Sequence, residues 1–150
     1  MNSRIVRFVL TTLVVFACLY IQRCTPGTDN KSSTKLKQYY VKGEALYITY
    51  CSNCHQKDGS GLGLLYPPLN KSDYMSSRRQ DVICLIKYGL QGEIIVNGKG
   101  YNKPMPPLPR LTDLEIAEIA TYIYNTWSHQ EGLIDVKEVS GTLSQCKDLQ

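Results

Sequence analysis

The stretch Cys51-Ser52-Asn53-Cys54-His55 sets two thiols and an imidazole within five residues. Four chemistries use such a group. A thioredoxin-like redox pair needs only the thiols and sits in a βαβ setting, which this chain's pattern lacks. A zinc site takes four good ligands, and the remaining candidates (His129, Cys84 and Cys146) are scattered. A disulfide across two residues leaves His55 idle. Covalent haem attachment occupies all three side chains: each thiol reaches one vinyl group of a porphyrin, and the imidazole turns toward the iron from the same side. We read Cys51 and Cys54 as the attachment points of one haem c, and His55 as an iron ligand.

The far side of the iron has three candidates, Met75, Met105 and His129. Met105 lies in Lys103-Pro104-Met105-Pro106-Pro107, where flanking prolines fix the backbone around a ligand that must arrive at a set position. The plainer reading is a methionine filling a gap in the core. Met75 reads as packing or surface, and His129, in a polar stretch, as solvated. Met105 is the expected sixth ligand.

These groups need a scaffold, and the chain divides into three parts to supply it. Arg4 and Arg7 precede Phe8 to Ile21, fourteen residues without a charge. Residues 1–21 therefore read as an export signal or N-terminal anchor, short of the ~20 apolar residues that cross a bilayer. Val15-Phe16-Ala17-Cys18 resembles a degenerate lipobox with Cys18 as the acylated residue; an uncleaved anchor and a freely soluble product are the other outcomes. Residues 22–38 read as a flexible polar tether, and residues 39–150 as the folded domain. Tyr39 to Tyr50 reads as a helix with Gly43 and Tyr47 on one face, and Asp81 to Tyr88 as another stopped by Gly89. Thr112-Asp113-Leu114-Glu115 has the form of a capping box, opening a helix whose apolar period runs from Ile116 to Trp127. Between them Ile94-Ile95-Val96-Asn97-Gly98 signals a hairpin. The fold class is all-α with one small hairpin before the distal methionine. Cys84, amid Val82-Ile83-Leu85-Ile86, reads by default as a small buried apolar residue, with a disulfide to Cys146 as the alternative; Cys24 falls in the tether.

Gly43, Tyr47, Cys51-Cys54-His55, Pro67-Pro68-Leu69, Met105 and Tyr122-Ile123-Tyr124 together resemble a class I monohaem bacterial cytochrome c over roughly residues 39–139. That resemblance implies helices wrapped around one haem, with the first and last crossing at Gly43 against Ile119, Ile123 or Tyr122. It further implies a proline carbonyl accepting the proximal imidazole N–H, from Pro67 by spacing or else from Pro68. The hairpin resembles an insertion that borders the haem edge. The tail beyond about 139 has no counterpart.

A His/Met-ligated iron has no free position, so the implied role is a one-electron carrier rather than an enzyme, with no small-molecule substrate. Its partners are redox proteins, met at the periplasmic membrane surface through the N-terminal lipid or anchor. The alternatives are a ligand-binding, sensor or peroxidase-like haem with a displaceable distal ligand, or a dedicated subunit of a larger oxidoreductase. Residues 1–38 carry a net +5 and residues 39–150 a net −1, so the domain shows no nucleic-acid footprint. Residues 55–110 hold a local +4 and residues 111–150 a local −5, which suggests a basic rim at the haem edge with the acidic end turned away.

Overall fold

The computed structural model describes residues 4, 7, 9, 11–14 and 29–146. Cys18, Cys24 and the first part of the tether lie outside the described residues. The element order is α1 (Asp29–Tyr50), α2 (Ser52–His55), α3 (Asp73–Ser77), α4 (Arg79–Tyr88), β1 (Ile94–Val96), β2 (Lys99–Tyr101), α5 (Asp113–Ile123) and α6 (Val136–Leu143). Among the described residues the fold is thus mostly helical with one two-stranded antiparallel sheet. No helix among the described residues is long and apolar enough to cross a membrane.

Helix α1 starts at Asp29 rather than Tyr39, so residues 29–38, read as tether, are helical. Nothing after Gly27 breaks a helix before Gly43, and the extension is anchored: Lys35 pairs with Asp135 and lies over the Tyr39 ring. Helix α4 ends where Gly89 takes φ +74° and returns its N–H to the Leu85 carbonyl. At the start of α5 the capping box is complete. Thr112 Oγ1 accepts from the Glu115 N–H at 3.3 Å, and Glu115 Oε2 accepts from the Thr112 N–H at 2.8 Å.

The hairpin pairs Ile94 with Tyr101 and Val96 with Lys99, turning through Asn97 and Gly98, both at positive φ, as a two-residue turn of the primed type requires. Asn97 also fixes the hairpin to α3. It exchanges hydrogen bonds with Asp73, 2.7 and 3.0 Å, and its amide donates to the Lys71 carbonyl at 3.0 Å.

The core gathers Tyr47 from α1, Ile83 from α4, Ile116 and Ile119 from α5, Ile134 from the following loop and Val139 from α6. Its tightest point is the meeting of α1 and α5. A Cβ on Gly43 would lie 1.9 Å from the Glu118 carbonyl oxygen and 2.8 Å from the Tyr122 Cβ, so only glycine permits that approach. Tyr122, not Ile119 or Ile123, faces it.

Three further expectations are corrected. Helix α5 ends at Ile123, short of Trp127, because Asn125 staples a reversal: its side chain donates to the Thr121 and Gly132 carbonyls and accepts from the Gly132 N–H. Trp127, at φ +58°, instead covers Gly59. His129 is buried rather than solvated, at 7% exposure, with its Nε2 3.0 Å from the Leu69 carbonyl oxygen. Cys84 is buried as expected but not free; it forms a disulfide with Cys146, tying α4 to the end of the tail. The described part of the tail, through residue 146, is therefore folded, with α6 packed against α4 and α5.

Candidate functional site

The proximal side is built almost entirely from neighbouring residues. Tyr47, fully buried, donates its hydroxyl to the Gln56 carbonyl at 2.6 Å, and the Tyr47 carbonyl accepts the Cys51 N–H at 2.9 Å. Those bonds fix both ends of α2, the single turn that carries the motif. Within it the Cys51 carbonyl accepts from the N–H groups of Cys54 and His55, at 3.1 and 2.9 Å. One helical turn brings residues three and four apart onto one face. Cys51, Cys54 and His55 accordingly line the same cleft.

His55 Nδ1 lies 3.0 Å from the Pro67 carbonyl oxygen. A carbonyl only accepts, so Nδ1 carries the proton and Nε2 keeps its lone pair for a metal. Burial holds the imidazole below its usual pKa, with the Pro67 carbonyl pulling the other way, so the ring is neutral and ready to ligate at physiological pH. Pro68 lines the cleft without taking this bond. Burial, with the neighbouring Cys54 thiol, pushes the Cys51 thiol up to about 12. A redox-active cysteine pair needs the opposite shift, so this environment argues against the thioredoxin-like chemistry.

The same cleft is lined by Val82, Leu85 and Ile86 of α4, by Ile94, Val96 and Tyr101 of the hairpin, and by Met105. Met105 belongs to a segment with little structure of its own. Its N–H donates to the Leu90 carbonyl and its carbonyl accepts the Leu90 N–H, both at 3.0 Å. Met75, also in the cleft wall, is 2% exposed and packed into the core, its carbonyl accepting the Tyr124 hydroxyl at 2.9 Å. It is core rather than surface.

About 910 Å³ of empty space lies in and in front of the cleft, open solvent included. Apolar walls, two thiols, an imidazole and a thioether lining one cleft form a donor set that fits a c-type haem: Cys51 and Cys54 would hold it covalently, and His55 and Met105 could ligate its iron. When bound, that group supplies one-electron exchange.

Sequence reading missed several contributors. Tyr66 lies in the cleft wall, and the neighbouring Cys54 thiol pushes its hydroxyl above its usual pKa. Leu90 and Ser128 act through backbone or long-range bonds; Ser128 Oγ accepts the Lys71 N–H at 2.8 Å, and nothing in the pattern marks it. The expected charge separation is also modified. Lys103 does line the cleft, but Glu131 and Glu138 of the acidic tail pair with Arg79.

Residues 40–127 match the family model for cytochrome c. Two forms of cytochrome c-552 from Thermus thermophilus are each 35% identical over 95 residues. The match covers 61% of this chain, and 68% and 60% of theirs. The fructose dehydrogenase cytochrome subunit of Gluconobacter japonicus is 30% identical over 120 residues, 75% of this chain but 24% of that subunit. With the attachment motif, the apolar cleft and these relatives in agreement, the chain belongs to the cytochrome c family, as an electron-transfer protein carrying covalently attached haem c.

Proposed function

We propose that this chain is a one-electron carrier whose single haem iron is held between His55 and Met105. The observation that supports this reading is that one cleft is lined by a neutral, Pro67-oriented imidazole, both thiols and a main-chain-anchored methionine. A thioether ligand favours the ferrous state and raises the potential, while the Pro67 carbonyl makes the imidazole a stronger donor. With both axial positions filled by side chains, nothing is left for a substrate. The chain is proposed to serve other redox proteins outside the cytoplasm, held at a membrane surface through Cys18 or an uncleaved N-terminal anchor. Lys99, in the hairpin, and Lys103, in the cleft wall, suit acidic patches on such partners.

A second reading draws on the likeness to a fructose dehydrogenase cytochrome subunit: a dedicated subunit of one oxidoreductase. Co-purification of a dehydrogenase from a native membrane extract supports that reading over a free shuttle.

Met105→Ala tests the ligation. Haem should remain attached through acid-acetone extraction, the weak long-wavelength band of methionine-ligated ferric haem should vanish, and the potential should fall. If Met75→Ala produces that loss and Met105→Ala does not, the distal assignment is wrong.

A further inference from the structure

The segment 104–109 reads Pro-Met-Pro-Pro-Leu-Pro, so only Met105 and Leu108 have a backbone N–H. Both are given to backbone at or just past the C-terminal end of α4: Met105 to the Leu90 carbonyl at 3.0 Å, and Leu108 to the Lys87 carbonyl at 3.1 Å. The segment then has no backbone donors left, and its far end must find others. Lys87 supplies them. Its ammonium donates to the Pro109 carbonyl at 3.0 Å and to the Leu111 carbonyl at 2.5 Å, the latter on a residue buried in the core. The same charge helps hold the Glu115 carboxyl below its usual pKa, after the larger effect of the Thr112 hydrogen bonds. As the only basic side chain in the last turn of α4, Lys87 also suits the negative end of that helix.

We infer that Lys87 is a positioning residue for the distal ligand: it closes the methionine segment at its far end, as Leu90 closes it at its near end, and so keeps Met105 in place against the iron. This rests on Met105 being the sixth ligand. Lys87 reads in sequence as one more member of a basic rim, yet its charge is taken up by two carbonyls. A segment tied at both ends opens rarely, and a competing ligand binds only the open fraction, so weakening one tie raises the competitor's apparent affinity in proportion.

The test uses the full-length holoprotein and added imidazole as the competing ligand, read by loss of the methionine band. Lys87→Met should keep covalent haem yet bind imidazole on the order of tenfold more tightly, and Lys87→Arg, which keeps a charged donor, should recover most of the parent's resistance. Parent-like imidazole binding in Lys87→Met overturns the inference. A second measurement needs no variant: hydrogen exchange in the parent should show the Met105 and Leu108 amides protected together. Free exchange at Leu108 with protection at Met105 overturns the two-ended tie. A parent that lacks the methionine band refutes the ligation itself, a separate outcome.

Discussion

The proximal and distal parts of the cleft are built by opposite routes. On the proximal side, Cys51, Cys54 and His55 lie on one helical turn, and the Pro67 carbonyl comes from only twelve residues downstream. On the distal side, Met105 sits in a proline-rich segment poor in donors of its own, tied to Lys87 at the end of α4 and to Leu90 just beyond it. Local construction makes the proximal side a unit that keeps its shape wherever the domain places it. Borrowed construction makes the distal side only as firm as the packing of α4.

Each side has one glycine whose replacement probes this difference. A Cβ on Gly89, at φ +74°, would lie 2.3 Å from the Met105 carbonyl oxygen; one on Gly61, at φ +69°, would lie 2.3 Å from the Tyr66 carbonyl oxygen and 2.7 Å from that of Pro67. Strain and overpacking together should cost roughly 3–5 kcal/mol at either site. The spectroscopic outcomes should diverge. Gly89→Ala should lose the methionine band and lower the potential. Gly61→Ala should keep that band and raise the potential, because a displaced Pro67 carbonyl leaves a less basic imidazole and a less favoured ferric state. Identical changes in both variants would break the comparison.

Next in size is the Cys84–Cys146 bond, which closes a 62-residue span. Cys146→Ser should lower stability by about 2–4 kcal/mol in chemical denaturation. The band and potential should persist in the folded protein, because Lys87, Gly89 and Leu90 remain at the other end of α4. A lost band would show that the tail, and not only the end of α4, holds the distal side.

The smallest effect is expected at Thr112, where the distal segment passes into α5. Thr112→Ala removes the cap and should cost about 1 kcal/mol in thermal or denaturant unfolding, with imidazole binding unchanged. Tighter imidazole binding would mean that the cap, too, belongs to the distal tie.

Sequence alone determined whatever rests on short-range geometry. The attachment motif, the α5 capping box, the Gly89 stop and the Asn97-Gly98 turn each depend on residues within about four positions, where bond lengths and backbone dihedrals leave few alternatives. The close approach at Gly43 and the Pro67 acceptor were legible through family resemblance, since each brings together residues from separate elements. Tertiary structure decided the rest. Cys84 has the surroundings of a free core cysteine and is a disulfide partner only because α6 lies along α4. His129 looks solvated and is buried because the chain reverses at Asn125 rather than continuing its helix. Residues 29–38 look like a linker and are helical, with Asp135, a hundred positions away from Lys35, as an anchor. Lys87 shows the divide most clearly: a lysine at a helix end is ordinary in sequence, and its role appears only when a segment rich in proline and poor in donors is laid across it.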